Sequence, residues 1–291
     1  MAEKEKRKVR PFYPFNEYEG MTLPHMSPTK KDVDKFMGSV RNFNSRETDV
    51  LMCSAMKSGT HWVHEIVSML LHQTTEYNSH GELNDCNFEC QTDWDRLEQW
   101  NSPRFFQTHL PLMYLPTKHV ENGYKIIYLN RNPKDRAVSN FHFMHKKGVP
   151  VGSWNDFFDN FVLNDSVYGG WFSFTKEFEK AVSQKRNNIL PITFENLITA
   201  TIPTIRELAT FLGVSADDRY IHDIADKCSF TNMKNNKTDV PSTINSGKTV
   251  IWRKGIIGDW KNLFTVAQNE KFDQMYEQEM KGCDVQFTYN A

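Results

Sequence analysis

Apolar strands that alternate with amphipathic helices are the feature that most constrains the fold of this chain. Asp49–Ser54 (DVLMCS) predicts a buried parallel strand, and from Thr60 the apolar residues recur at helical spacing. Tyr124–Pro133 (YKIIYLNRNP) predicts a second strand, which ends at an Asn-Pro pair that suits a helix start. This alternation predicts a central parallel sheet flanked by helices. We therefore expect a single α/β domain over residues 1–291, with a polar approach segment at 1–28.

The rest of the chain continues the same alternation. Further elements are predicted as strands at Arg104–Pro111 and Asn188–Asn196, and as helices at Thr29–Gly38, Trp154–Leu163, Gly170–Lys185, Thr201–Val214, Asp217–Cys228 and Phe264–Gly282. Residues 229–250 are polar and irregular. In the helix from Thr60, the residues His61, Glu65, Ser68 and His72 form a face opposite the apolar one.

Composition and charge exclude several classes of protein. The formal net charge of -1 disfavours a nucleic-acid partner, and no apolar run is long enough to cross a membrane. The charged start MAEKEKRKVR shows no secretory signal. The five cysteines are odd in number and scattered, which suits reduced thiols in a cytosol. These features predict a cytoplasmic protein with no nucleic-acid or membrane partner.

The stretch Ser54–Trp62 (SAMKSGTHW) has the character of a phosphate-binding loop between a strand and a helix. Gly59 permits close approach of the backbone to an anion, the first helical amides point at it, and Lys57 adds a positive charge. The alternative is a glycine turn with a solvated lysine. The order G-K-[ST] is absent, which disfavours a magnesium-dependent nucleotide triphosphatase. The loops after Ser54, Gln107 and Asn130 lie at the carboxyl ends of strands, where ligands bind such sheets.

Three more groups of residues carry chemistry suited to an anion or a proton. Ser139 lies six residues past Pro133 on a helix, roughly 9 Å along its axis, so Arg131 can share one phosphate with it. Arg253–Gly255 places two cations in an ordered, glycine-flanked loop, although a solvated charged loop is the default interpretation. His109 follows a strand and can serve as a general base, although a single histidine is more often structural.

A metal site is not expected from this sequence. His61, His64 and Glu65 share a helix face, but no third ligand is indicated and no metalloprotease order fits. Cys86 and Cys90 have no second pair to complete a zinc site.

Four motifs occur here in one order and at matching separations: KSGTHW, QTHLP, RNPKDRAVSNFHF and RKGIIGDWKNLFTVAQNE. Together they resemble the cytosolic sulfotransferase family over residues from about 30 to 287. The resemblance implies a donor, 3′-phosphoadenosine 5′-phosphosulfate (PAPS), with its desulfated form (PAP) as product. It also implies transfer of the sulfuryl group to a hydroxyl or amine of a small molecule, without a metal.

The resemblance assigns roles to residues of this chain. It implies His109 as the base and Lys57 at the leaving phosphate, and it counts Ser139, at the 3′-phosphate, among the catalytic residues. It implies a donor site formed by Lys57, Ser58, Gly59, Thr60, His61, Trp62, Arg131, Ser139, Phe194, Cys228, Ser229, Phe230, Met233, Ile251, Trp252, Arg253, Lys254 and Gly255. The acceptor pocket would include Gln107, His109, Phe143 and Tyr168. Lys261–Glu270 matches a segment through which the family pairs subunits, which predicts a weak homodimer.

The sequence departs from the family pattern at several positions. Ala55-Met56 stand where Tyr-Pro is usual, His61 where a threonine is usual and Gln107 where a lysine is common. Phe194 replaces a tyrosine and Cys228 a threonine. These changes leave a second hypothesis open, a homologue that binds PAPS or PAP but catalyses weakly. A nucleotide-dependent kinase is a third, which the missing magnesium ligands disfavour.

Overall fold

The computed structural model describes residues 15–79, 84–185, 188–237 and 251–290. In these ranges four strands form a parallel sheet in the order β4-β3-β5-β6, and two more form a separate antiparallel hairpin. The strands are β1 (Phe15–Tyr18), β2 (Met21–Pro24), β3 (Val50–Ser54), β4 (Phe105–Thr108), β5 (Lys125–Asn130) and β6 (Ile189–Thr193). In the register of the parallel sheet, Cys53 of β3 lies opposite both Thr108 and Tyr128. The predicted parallel sheet is confirmed.

The helices of the described ranges surround this sheet. They are α1 (Ser27–Lys31), α2 (Val33–Arg41), α3 (Thr60–His72), α4 (Trp94–Glu98), α5 (Thr117–Glu121), α6 (Pro133–Lys146), α7 (Trp154–Phe157), α8 (Trp171–Ser183), α9 (Phe194–Thr199), α10 (Thr201–Leu212), α11 (Asp218–Lys227), α12 (Phe230–Asn236) and α13 (Val266–Glu279). The cap of α6 follows the prediction, because the Asn132 side chain accepts from the Asp135 N–H and Pro133 begins the helix. Within these same ranges, no helix has both the length and the apolar character to cross a membrane.

The sheet buries both of its faces, as the alternation predicted. Leu51 and Cys53 of β3 point into one apolar cluster, which Phe174 of α8 also joins. Their neighbours Val50 and Met52 point into the other cluster, which is covered by α3, α10 and α11. Since side chains alternate along a strand, each strand supplies both layers and is largely apolar.

Three local predictions were wrong. The segment expected to be a polar approach contains the β1–β2 hairpin, and Met21 and Leu23 are buried in the core. A helix, α9, begins at Phe194 where a strand was expected to continue. Residues 230–236 form helix α12 rather than irregular structure, whereas the rest of that stretch, 238–250, lies outside the described residues.

The middle of the expected polar face of α3 is buried at Glu65 and Ser68, whereas His72 at its end is exposed. Glu65 is fully buried and forms an ion pair with Lys237, with 2.7 Å between carboxylate oxygen and ammonium nitrogen. The main-chain N–H of Asn78 donates to Glu65, and the Lys237 ammonium donates to the Asn78 carbonyl. Helical periodicity gave no sign of this pair, because Lys237 lies more than 170 residues away in sequence. The pair joins α3 to the residue that directly follows α12.

Candidate functional site

A cavity of about 820 Å³ opens at the carboxyl edge of the parallel sheet. Its wall includes residues from the loops after β3, β4 and β5 and from the start of α9 after β6. This is the edge where the sequence placed the site. Of the residues assigned to the donor and acceptor sites, all line the cavity except Ser58 and Ser229. Ser58 is buried within the loop between β3 and α3, and Ser229 caps α12 by accepting from the Asn232 N–H.

The loop between β3 and α3 has a backbone shaped for close approach. Lys57 has a φ of 70° and Gly59 a φ of 103°. A Cβ at Gly59 would lie 2.8 Å from the Phe194 ring, so glycine is required for both conformation and space. Arg136 holds the loop from α6 by donating to the Met56 carbonyl at 2.9 Å. The first amides of α3 therefore face the cavity in a fixed position.

Burial and neighbouring positive charges set the pKa of the Lys57 ammonium. Burial, together with the charges of Arg131, Lys147, Arg253 and Lys146, lowers the pKa of Lys57 to about 7. Its ammonium lies 3.8 Å from the centroid of the Phe143 ring. An anion in the cavity would stabilise the protonated form of Lys57, so this part of the wall favours a negatively charged ligand.

Arg131 reaches the same cavity from the end of β5. Its guanidinium lies 3.9 Å from the centroid of the Phe194 ring and donates to the carbonyls of Lys57 (3.4 Å) and Ile256 (3.2 Å). Its buried Nε has no partner in the described part of the chain. Phe194, a departure from the family pattern, thus serves as a platform for the arginine and contacts the Trp62 ring edge-on.

Asp259 organises the loop that carries Arg253 and Lys254, and sequence reasoning missed it. Its two carboxylate oxygens lie 2.5 Å from Arg253 Nη1 and from Lys254 Nζ. Burial alone would raise the pKa of Asp259, but hydrogen bonds from Lys254, Asn262 and Arg253 lower it to about 2. Asp135 fixes the same loop by accepting from the main chain of residues 258 and 260. The two cations are therefore positioned rather than freely solvated.

His109 is held in one tautomer by its surroundings. Its Nδ1 lies 2.8 Å from the Ser54 carbonyl oxygen, which can only accept, so Nδ1 carries the proton. The Nε2 lone pair is then available to take a proton from a ligand. The His109 main-chain N–H donates to Glu89 at 2.6 Å, and the Ser54 hydroxyl lies 2.8 Å from that of Thr60. Through Ser54, these contacts connect His109 to the loop between β3 and α3.

His61 stands near this base as a neutral ring. Burial lowers its pKa well below the usual value, and the charges of Lys57, His64, His109 and Lys237 act in the same direction. Its buried Nδ1 has no partner within the described ranges. His61 lines the cavity, so it can offer a hydrogen bond where the family has a hydroxyl.

The unpartnered buried groups of the wall are suited to a nucleotide phosphate. Besides Arg131 Nε and His61 Nδ1, the indole N–H groups of Trp62 and Trp252 have no acceptor in the described part of the chain. Donors and aromatic rings together match an anion attached to a planar base. Across the described ranges, His, Cys, Asp and Glu do not form a group of three that could hold a metal.

Fold and site together define a group-transfer enzyme of the α/β class that acts on an anionic donor. The chain belongs to the sulfotransferase family, because the sulfotransferase domain profile matches residues 47–284. It is 36% identical over 272 residues to sulfotransferase 1B1 of Canis lupus familiaris (86% of this chain, 89% of the relative). It is 35% identical to sulfotransferase 1E1 of Bos taurus (94% and 96%). The crystal structure of mouse sulfotransferase SULT7A1 complexed with PAP superposes with a TM-score of 0.79 at 31% identity (93% and 96%).

Proposed function

We propose that this chain transfers the sulfuryl group of PAPS to a hydroxyl or amine of a small molecule, with His109 as general base. One observation carries the proposal: Lys57, Arg131 and the N-terminus of α3 converge on one cavity whose wall also holds His109, with its Nδ1 directed at the Ser54 carbonyl. The mouse relative solved with PAP supports the nucleotide part of the proposal.

The donor is bound by charges from three loops. The Lys57–Trp62 loop holds the 5′-phosphosulfate, and Arg131, Ser139 and Arg253–Gly255 hold the 3′-phosphate. The donor carries roughly four negative charges, which four cations and the helix amides balance without magnesium. Trp62 stacks on the adenine, and α12 covers the nucleoside through Phe230 and Met233.

Catalysis depends on the position of the acceptor hydroxyl, the base that removes its proton and the groups that stabilise the leaving phosphate. The acceptor hydroxyl lies against His109 Nε2, which takes its proton as the oxygen bonds to sulfur. The bond from sulfur to the 5′-phosphate oxygen breaks, and PAP leaves. Lys57 and the α3 amides stabilise the charge that develops on this oxygen, which is the larger part of the effect in such transfers. A general base contributes about 10²- to 10⁴-fold.

Product formation in the presence of EDTA tests this proposal. The purified chain is incubated with radiolabelled PAPS and a panel of phenols, alcohols and amines, and sulfated products are identified by mass. We expect His109→Ala to lower kcat by about 10²- to 10⁴-fold while PAP still binds. His145→Ala, an exposed histidine on the same helix as Ser139, is the matched control. Equal turnover by His109→Ala and the parent would contradict the assignment of the base.

The weakly catalytic homologue is kept as the second candidate because of two residues in the cavity wall. Gln107 is 2% exposed where a lysine is common, and His61 stands in place of a hydroxyl. This candidate predicts PAP binding without product from any acceptor. A kinase would instead lose all activity in EDTA.

The homodimer remains a proposal. Lys261, Thr265, Val266 and Glu270 are exposed, and Val266 is 77% exposed, as an interface segment requires. Gel filtration across a range of concentrations should show a concentration-dependent shift towards the dimer. A monomer at every concentration would contradict the proposal.

A further inference from the structure

Two segments on opposite sides of the proposed reaction line the same cavity. Met56 and Lys57 belong to the loop between β3 and α3, on the side of the 5′-phosphosulfate. Tyr168 lies on the acceptor side, where the centroid of its ring is 5.5 Å from that of the His109 ring. In-line transfer requires the two reacting atoms to lie about 3–3.5 Å apart, so the rate depends on how these two segments are placed relative to each other.

Arg136 of α6 contacts both segments through one guanidinium. Its Nε donates to the Met56 carbonyl at 2.9 Å, and its Nη1 donates to the Asp165 carboxylate at 2.9 Å. Both side chains of this ion pair are 7% exposed, so salt and water screen the interaction little. A guanidinium donates in fixed directions, which defines the position of one acceptor relative to the other.

Asp165 in turn holds the segment that carries Tyr168. One carboxylate oxygen accepts from the Val167 N–H at 3.2 Å. The other accepts from the Trp171 N–H at 3.3 Å as well as from Arg136. Since Trp171 is the first residue of α8, the carboxylate fixes the turn on both sides of Tyr168.

The backbone of this turn requires such support. Tyr168 has a φ of 52°, a conformation that side chains other than glycine rarely adopt, and Gly169 and Gly170 follow at 79° and 80°. The Tyr168 N–H also donates to the Thr22 carbonyl at 2.9 Å. This bond joins the turn to β2, whose last residue, Pro24, lines the cavity. The turn therefore positions two parts of the acceptor side.

We propose that Arg136 and Asp165 are positioning residues, which hold the donor loop and the acceptor side at the separation that sulfuryl transfer requires. This inference rests on the proposed function. Neither residue is among the described residues of the cavity wall, so each acts through the segments that it contacts. Breaking the pair removes no group that binds the nucleotide. Turnover should therefore fall while PAP affinity is retained.

Steady-state kinetics and calorimetry with PAP test this proposal in two variants. Asp165→Asn removes the negative charge at constant size. Arg136→Lys keeps the positive charge, but its single nitrogen cannot reproduce the two directions of Nε and Nη1. We expect kcat to fall about 10²-fold in Asp165→Asn, as for a displacement of about 1 Å, and at least about ten-fold in Arg136→Lys. The Kd of PAP should change by less than about three-fold in both variants.

Asp159→Asn is the matched control, because it breaks an ion pair with Lys271 in which the side chains are 62% and 57% exposed. Its kcat should stay within about two-fold of the parent value. A parent-like kcat in either test variant would overturn the proposal. A loss of kcat matched by an equal loss of PAP affinity would also overturn it, because the pair would then support the donor site alone.

Hydrogen exchange followed by mass spectrometry gives a readout that does not depend on turnover. The Ser58 N–H donates within the donor loop and the Tyr168 N–H donates to β2, so each segment contains a hydrogen-bonded amide. Both should exchange at least about ten-fold faster in Asp165→Asn than in the parent or the control. Faster exchange at Tyr168 alone would contradict the proposal, because the pair would then hold only its own turn. If the parent sulfates no acceptor, the proposed function fails, whereas this exchange pattern still decides whether the pair links the two segments.

Discussion

The Glu65–Lys237 pair gives the sharpest test of how the donor cavity is held together. Both side chains are buried, at 0% and 1% exposure, and 2.7 Å separates their charged atoms. Lys237 directly follows α12, which carries Phe230 and Met233 of the cavity wall, whereas Glu65 belongs to α3. Lys237→Met would leave the Glu65 carboxylate buried without its cation.

The cost of that change can be worked from two directions. Removing one partner of a buried ion pair costs about 3–5 kcal/mol. The variant can instead neutralise Glu65 by binding a proton. Protonating a glutamate of ordinary pKa at pH 7 costs about 3.7 kcal/mol, so the loss of stability has a similar upper limit. We therefore expect a loss of about 3–4 kcal/mol. In a chain of 291 residues that lowers Tm by roughly 5–7 °C.

Urea denaturation and scanning calorimetry measure this loss. Lys234→Met, on the exposed side of the same helix, is the control and should lie within about 0.5 kcal/mol of the parent. The double variant Glu65→Met/Lys237→Met should recover most of the stability, because it removes both charges. A loss below about 1 kcal/mol for Lys237→Met alone would refute the argument that this pair is desolvated and coupled.

The remaining predictions concern donor affinity. Gly255→Ala should weaken PAP binding, measured by calorimetry, at least ten-fold. The φ of Gly255 is +65°, and a Cβ there would lie 2.4 Å from the Phe230 ring. The control Gly123→Ala, with φ +64° and open space around it, should leave binding intact. The affinity for PAP should fall as pH rises above about 7, by up to ten-fold per unit, since the free protein then loses the proton of Lys57 that the anion needs. Lys57→Met should flatten this profile, and an equally steep profile in that variant would contradict the pKa assignment.

Local sequence patterns were sufficient for the sheet and for the loops at its carboxyl edge, whereas most other site residues were assigned by the family resemblance. Strand β5, its Asn132-Pro133 boundary and the loop at Gly59 are each encoded by residues adjacent in sequence, so periodicity and capping rules identify them. The carboxyl-edge rule then brings Lys57, His109 and Arg131 together without knowledge of side-chain contacts.

The groups that hold those residues in place could not be predicted in the same way. Asp259 and Asp135 act through contacts that depend on how α6 packs against the loop at residues 253–260. The Ser54 carbonyl that fixes the tautomer of His109 leaves no trace in the sequence, since every residue has a carbonyl. Burial of Glu65 contradicts its polarity and requires Lys237 from a distant helix. Long-range pairs of this kind emerge only from the tertiary structure.

Titration of PAP into the chain by calorimetry in EDTA tests the central claim most directly. The proposed cation-lined cavity predicts saturable one-to-one binding with micromolar or tighter Kd, weakened by Arg131→Met. A flat titration with the folded parent protein, or equal binding by that variant, would contradict the assignment of this cavity to the donor nucleotide.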